Sequence, residues 1–280
     1  MNKPFPQWIK KRFSITDEYL ETKSLVEKYS LNSVCKEARC PNIYECFKKK
    51  YVTFLILGQV CTRRCGFCSV KKGKTLPPDP GEPEKIAELV AKLNLKYVVI
   101  TSVTRDDLSD YGANQFSLCV KKIREKSPET QVELLIPDLN GNPENLKIIF
   151  ESKPDVLSHN METVPGLYSS IRQMADYNTS LNVLLQSKNA GFITKSSIMV
   201  GLGEKEEEVI DVMKDLRSVF CDFFVIGQYL QPDKNRLPVV EFIRPEIFEK
   251  YQKIGESLGF KKVFSGVFYR SSYRAEEALL

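Results

Sequence analysis

An α/β fold on a parallel sheet is what this 280-residue chain predicts, and two observations carry the prediction. Apolar, strand-like runs alternate with amphipathic stretches about six times, the pattern of a parallel sheet with covering helices. Residues able to do chemistry also collect just after the strand-like runs, as they do at the carboxyl ends of strands in such folds. The first run is 51–57, followed by Cys61. An amphipathic stretch at 84–93 leads to the second run, 97–102, which ends on Thr101-Ser102. A helix-like stretch at 115–126 precedes the run 132–137. The next, 143–151, is opened by Asn142-Pro143, a cap followed by proline in the first turn. Run 155–158 delivers His159-Asn160, and a long helix-like stretch over 166–189 leads to run 197–201 and the turn Gly201-Leu202-Gly203-Glu204. Stretch 206–219 and run 223–228, ending on Gln228-Tyr229, complete the series. Periodicity alone leaves an open doubly wound sheet and a curved barrel both possible. Residues 1–50 read as an extension ahead of the first strand, with no linker and no internal repeat.

Composition narrows the classes. A hydrophobic fraction of 42% suffices for a packed core, and 28% charged residues fit a soluble globular protein. No apolar run approaches the roughly 18–20 residues that span a bilayer; the longest candidate is interrupted by Thr53, Gly58 and Gln59. The N-terminal twenty residues lack the apolar core of a signal peptide, so the cytoplasm is the expected compartment, with no membrane association. The net charge of +5 is low for nucleic-acid binding, and no basic-aromatic module is present. Local basic groups at Lys48-Lys49-Lys50, Arg63-Arg64 and Lys71-Lys72-Lys74 read as a solvated face, or alternatively as a docking surface for an acidic partner.

In a reducing compartment clustered cysteines point to metal or redox work. Six of the eight cysteines form two triplets, Cys35-x4-Cys40-x5-Cys46 and Cys61-x3-Cys65-x2-Cys68. A cubane iron–sulfur cluster has four irons, each needing a ligand, so three thiolates leave one iron open. Zinc needs four ligands; no fourth cysteine or histidine lies near the second triplet, and His159 is the chain's only histidine.

The motif Cys61-Thr62-Arg63-Arg64-Cys65-Gly66-Phe67-Cys68, set right after a strand, resembles that of the radical S-adenosylmethionine superfamily. The resemblance implies a 4Fe–4S cluster on the three thiolates, with S-adenosylmethionine chelated at the open iron. One-electron cleavage of the sulfonium would then give methionine and a 5′-deoxyadenosyl radical. The cofactors do the difficult step and the protein positions them. The resemblance also implies a partial (β/α)6 TIM-like barrel, whose lateral opening admits a protein-borne acyl chain.

The first triplet, Cys35-Lys-Glu-Ala-Arg-Cys40-Pro-Asn-Ile-Tyr-Glu-Cys46, resembles the auxiliary-cluster motif of lipoyl synthases. That resemblance extends through Pro6-Gln7-Trp8-Ile9-Lys10, Thr101-Ser102-Val103, Arg105-Asp106-Asp107-Leu108, His159-Asn160-Met161-Glu162-Thr163-Val164, the stretch from Lys195 to Glu204, Gly227-Gln228-Tyr229-Leu230-Gln231-Pro232 and Arg270-Ser271-Ser272-Tyr273. It implies that Ser272 is the fourth ligand of a second 4Fe–4S cluster; alkoxide is a harder donor than thiolate and suits a labile iron. The implied reaction inserts two sulfur atoms at C6 and C8 of a protein-bound octanoyl-lysine. Two S-adenosylmethionines are consumed per product, and the sulfur comes from the auxiliary cluster. No side-chain base has a pKa suited to such C–H bonds, so no catalytic residue beyond the cluster ligands is expected. Implied partners are an octanoylated carrier, either the glycine-cleavage H protein or an acyltransferase subunit of a 2-oxo-acid dehydrogenase. An electron donor such as ferredoxin or flavodoxin and a cluster-repair protein complete the set.

The implied segments are 1–50, carrying the auxiliary cysteines; 51–240, the barrel; and 241–280, carrying the serine. Candidate cofactor-pocket residues are Thr101, Ser102, Asn160, Glu162, Gly201 and Gly203. Without the motif context, Ser271-Ser272 reads as a turn or cap, Gly201–Glu204 as a tight strand-to-helix turn, and His159 as a hydrogen-bonded structural residue. Cys119 and Cys221 read as buried thiols. Thr104, Tyr111, Arg236 and Phe47 depart from the family's usual aspartate, glycine, histidine and tryptophan. Two other readings stand beside this one: another radical sulfur-inserting enzyme, and a noncatalytic iron–sulfur or zinc protein that senses redox state.

Overall fold

The computed structural model describes residues 5–11 and 13–279. Residues 1–4, 12 and 280, which belong to the expected terminal segments, lie outside that set. The strands are β1 (Thr53–Ile56), β2 (Val60–Cys61), β3 (Lys71–Lys72), β4 (Tyr97–Ser102), β5 (Gln131–Leu135), β6 (Val156–Ser158), β7 (Ile193–Val200), β8 (Phe223–Gln228) and β9 (Lys262–Gly266). Seven form one sheet in the order β1-β4-β5-β6-β7-β8-β9, while β2 and β3 make a small parallel pair. The main sheet is parallel, with registers such as Thr53 opposite Val99, Val99 opposite Glu133, and Ser197 opposite Val225. The expected α/β class and parallel sheet are therefore present. The sequence expects six strands; the structure adds β9, which pairs with β8 through Val225 and Phe264.

The chain divides into two compact units, one of Phe13–Arg63 and Val70–Leu157, the other of Met1–Arg12, Arg64–Ser69 and Ser158–Leu280. In the first, helices α1 (Asp17–Lys28), α2 (Val34–Glu37) and α3 (Ile43–Lys48) precede β1. Thr16 caps α1 by accepting the Tyr19 N–H at 3.4 Å, and Ser33 caps α2 through the Lys36 N–H at 3.3 Å. Helix α1 packs on α3, where the Thr22 hydroxyl donates to the Phe47 carbonyl at 2.8 Å and Tyr19 stacks on Tyr44. Helices α4 (Glu82–Leu93), α5 (Ala113–Lys126) and α6 (Pro143–Glu151) follow. The expected Asn142 cap is observed: its side chain accepts from the Glu144 and Asn145 N–H groups at 2.9 and 3.2 Å. Ile86, Leu89, Phe116, Val120 and Ile123 on α4 and α5 are buried, as are Val98, Ile100, Val132 and Leu134 on the strands. Burial of each such side chain is worth about 1.5–3 kcal/mol.

The second unit carries α7 (Tyr168–Ile171), α8 (Tyr177–Asn189), α9 (Glu206–Ser218) and α10 (Pro245–Ser257). The sequence expects one helix over 166–189, but the chain breaks after α7. Met174 takes a left-handed φ of 70°, and Asp176 restarts the helix by accepting the Thr179 N–H at 2.7 Å. Met161, Leu184, Ile198, Met213, Phe224 and Phe248 belong to one buried cluster. Cys119 and Cys221 are fully buried, as expected.

Asp222 ties several elements of this unit together. Its carboxylate accepts from the Thr194 N–H at 2.9 Å and pairs with Lys188 Nζ at 2.6 Å and Lys261 Nζ at 3.0 Å. Burial opposes its charge, but these donors outweigh burial and hold its pKa below the ordinary range. A depressed carboxylate stabilises the fold above its unfolded pKa of about 3.9, and that contribution fades as pH falls through the folded value. Asp222→Asn is therefore expected to cost about 1.5–3 kcal/mol at neutral pH and less in acid, read by urea unfolding of the apoprotein.

Candidate metal and cofactor sites

In the first triplet, Cys35 lies on α2 and Cys46 on α3, both buried, and Cys40 lies between them, partly exposed. The backbone folds back on itself here: the Cys40 N–H donates to the Cys35 carbonyl at 3.0 Å and the Tyr51 N–H to the Cys46 carbonyl at 2.8 Å. The segment is also tied to β1, the Leu55 N–H donating to the Asn32 carbonyl at 2.9 Å. Burial and the neighbouring Cys40 push the Cys35 thiol up to about 12. The metal-ligating form of cysteine is the thiolate, so a cluster bound here would displace that proton.

In the second triplet Cys61 ends β2, and Cys65 and Cys68 stand on the 64–69 loop; all three are partly exposed. That loop is stitched down within its own unit: the Gly66 N–H donates to the Ile171 carbonyl at 2.8 Å, and its carbonyl accepts from the Leu237 N–H at 3.2 Å. Phe67 packs with Ile171, Leu202 and Tyr229. All eight cysteines are free thiols. Among the described residues, no three His, Cys, Asp or Glu side chains are gathered to hold a single metal ion. Ligands of a cubane, each serving a different iron, do not need to converge on one point.

Arg63 and Arg64, grouped by the sequence as part of a solvated face, separate. Arg64 is exposed, but Arg63 is only 6% exposed and lies between two carboxylates. It donates from Nε and Nη2 to Asp106 at 3.0 and 2.9 Å, and from Nη1 and Nη2 to Asp138. Nothing local marks this, because the partners stand 43 and 75 residues further along.

The expected pocket residues have distinct surroundings. The Thr101 hydroxyl donates to the Leu135 carbonyl at 2.8 Å and so serves the sheet. The Ser102 hydroxyl, at the carboxyl end of β4, is buried and has no hydrogen-bond partner among the described residues. A buried orphan hydroxyl costs free energy unless something else satisfies it, so this position fits a bound polar ligand. Asn160 sits between two groups, its Nδ2 donating to Glu162 at 3.1 Å and its Oδ1 accepting from Ser271 Oγ at 2.9 Å. Glu162 has a φ of 69° and bridges to Ile198. Burial raises its pKa, while Arg172 and Arg270 pull it down. Ser272, the residue after the Asn160-bound Ser271, is partly exposed. Arg270 Nη1 donates to the carbonyls of Tyr269 and Val267 at 2.6 and 3.3 Å. His159 is buried, with its Nε2 3.5 Å from Arg172 Nη2, in keeping with the structural role expected.

Gly201 and Gly203 take φ values of 96° and 114°, and the turn is tight. Its amides are satisfied internally, because the Glu204 carboxylate accepts the N–H groups of Gly201 and of Leu202, the latter at 2.9 Å. Burial raises the pKa of that carboxyl, against the hydrogen bonds that lower it. Of the departures from the family pattern, Tyr111 holds a left-handed φ of 52°, the conformation for which glycine is favoured.

Comparison with known proteins follows the same lines. Residues 55–216 match the model of the Radical SAM superfamily. A lipoyl synthase from Caldicellulosiruptor saccharolyticus is 54% identical over 97% of this chain and 96% of its own. A lipoyl synthase from Aquifex aeolicus is 52% identical over 93% of this chain and 95% of its own. In three dimensions the chain is similar to methylornithine synthase, with a TM-score of 0.56 at 16% identity, covering 90% of this chain and 85% of that one. This likeness is one of fold, and it agrees with the partial barrel that the sequence implies.

Proposed function

Because the chain belongs to the lipoyl synthase family, within the radical S-adenosylmethionine superfamily, we propose that its two cysteine triplets divide the labour of sulfur insertion. It is an enzyme, a sulfurtransferase that uses a 4Fe–4S cluster and S-adenosylmethionine to convert an octanoyl group on a carrier protein to the lipoyl form. In this reading Cys61, Cys65 and Cys68 hold the cluster that works with S-adenosylmethionine, and Cys35, Cys40, Cys46 and Ser272 hold a second, sulfur-donating one. When bound, these groups supply a radical able to take hydrogen from unactivated C6 and C8, and the two sulfur atoms. The chain's own residues bind, orient and exclude water. Ser102 offers a buried hydroxyl to the cofactor, and Asn160 holds Ser271, and so the serine pair, beside Glu162. Thr101 contributes through the end of β4, and Gly201 and Gly203 through the geometry of their turn. The outer segments, 1–50 and 241–280, carry the auxiliary ligands, and 51–240 carries the radical machinery.

The observation that supports this most is the presence of both triplets and the terminal serine in a chain 54% identical, over nearly its whole length, to a curated lipoyl synthase. The carrier is a glycine-cleavage H protein or a dehydrogenase acyltransferase subunit, reduction comes from a ferredoxin or flavodoxin, and a repair protein restores the spent cluster. No helix among the described residues is long and apolar enough to cross a membrane, and we place the reaction in the cytoplasm. The test is mass spectrometry of an octanoyl-lysyl peptide after anaerobic incubation with reconstituted protein, S-adenosylmethionine and dithionite. A product with two added sulfurs is expected; an unchanged peptide, from protein carrying both clusters, overturns the assignment of substrate.

A further inference from the structure

The Arg105-Asp106-Asp107-Leu108 motif after β4 has no part in ligating a cluster, yet its side chains reach back to the limb of chain that carries Cys61. At the root of that limb, Leu57 has a strained φ of 68°. Its N–H donates to Glu82 Oε2 at 3.0 Å, and its carbonyl accepts from Arg105 Nη1 at 3.3 Å. Arg105 is only 2% exposed and is itself held by a two-pronged pair with Asp107, at 2.8 Å through each prong. At the tip, the Thr62 N–H donates to the Thr104 carbonyl at 3.1 Å, and the Thr62 hydroxyl to Asp106 Oδ2 at 2.9 Å. Arg63 then enters the fork between Asp106 and Asp138, which is 2% exposed. Cys61 is thus bracketed: strained backbone gripped on both sides four residues before it, and a buried guanidinium two residues after it.

We propose that Arg63, held by Asp106 and Asp138, is a positioning residue that fixes where Cys61 presents its thiolate, so that the loop is preorganised for its cluster. The inference rests on the assignment of Cys61, Cys65 and Cys68 to that cluster. A planar guanidinium can satisfy two carboxylates at once in a fixed geometry, which a lysine ammonium cannot. Supports of this kind, one shell out from a metal ligand, are typically worth about 10–100-fold in affinity or activity. The local charge also stays bounded, one cation against two carboxylates of which Asp106 is partly solvated at 24% exposure.

Two measurements on Arg63→Gln, Arg63→Lys and Asp138→Asn test this. Asp138→Asn leaves Arg63 paired with Asp106 and strands no buried charge, so it guards against a variant that simply misfolds. The first measurement is the alkylation rate of each cysteine in the apoprotein, read by peptide mass spectrometry. Cys61 is expected to react about tenfold faster in Arg63→Gln, less so in the other two, with Cys40 unchanged as an internal reference from the other triplet. The second is the EPR spectrum of the reduced holoenzyme with and without S-adenosylmethionine. The cofactor-induced change is expected to broaden or vanish in Arg63→Gln, with 5′-deoxyadenosine released in excess over sulfur inserted. Wild-type alkylation and an unaltered EPR response in both Arg63→Gln and Asp138→Asn overturn the proposal. A wild-type protein with the protected Cys61 but no S-adenosylmethionine-dependent signal sinks the cluster assignment instead, and the inference with it.

Discussion

Ser272→Ala and Cys61→Ala are expected to fail in opposite ways. Cys61→Ala, reconstituted anaerobically, should retain about half of the wild-type iron, the share of one of two equal clusters. It should neither cleave S-adenosylmethionine nor modify an octanoyl peptide. Ser272→Ala should keep the cofactor-cleaving activity, because Cys61, Cys65 and Cys68 are untouched. Its 5′-deoxyadenosine yield should stay near wild type, while insertion of sulfur falls by at least about 10–100-fold. Counting 5′-deoxyadenosine and dihydrolipoyl peptide in the same reaction separates the two. Equal losses of both products in Ser272→Ala would mean that this serine does not serve a separate sulfur-donating site.

Gly227→Ala should produce a related defect without touching any ligand. Gly227 lies on β8 opposite Gly266 of β9. An added Cβ would fall well inside van der Waals contact with the Tyr269 carbonyl oxygen and 2.8 Å from Arg270 Nη1. Backbone cannot yield as a flexible side chain can, so the chain at Tyr269 must move. Arg270 bonds that same carbonyl, and Ser271 bonds Asn160, so the displacement reaches Ser272 through two consecutive contacts. Overpacking of this kind costs about 1–3 kcal/mol. The variant is expected to unfold at lower urea, to cleave S-adenosylmethionine, and to insert little sulfur. Full insertion activity in Gly227→Ala would show that the terminal motif tolerates the shift.

The sequence made the repeating units legible because each carries its own local signal. Asn142-Pro143 announced α6, and the apolar runs at 97–102 and 223–228 coincide with β4 and β8. Signals that were weak or interrupted were lost. The break before α8 depends on a left-handed Met174, and only the spacing from Asp176 to Thr179 hinted at a new cap. β9 is five residues with a single buried pair, Val263 and Phe264, and it lies within the expected terminal segment 241–280. The helices of the N-terminal segment have caps at Thr16 and Ser33, but both helices are short or weakly apolar and bury few side chains of their own. The spacing of the proposed cysteine ligands was legible because each triplet spans only a few residues. The supports of Cys61 were not, since Arg63 meets carboxylates from distant loops and a lone basic pair in a sequence reads as solvated.

The turn at Gly201 has the glycines of a phosphate-binding loop but not its free amides. Glycine-rich strand-to-helix turns commonly seat phosphate on free backbone N–H groups. Here Glu204 already occupies those groups with its own carboxylate. A phosphate group approaching this turn would find those donors taken. The glycine turn is therefore complete without a ligand, its Gly201 and Leu202 N–H groups being satisfied by a side chain two to three residues further along.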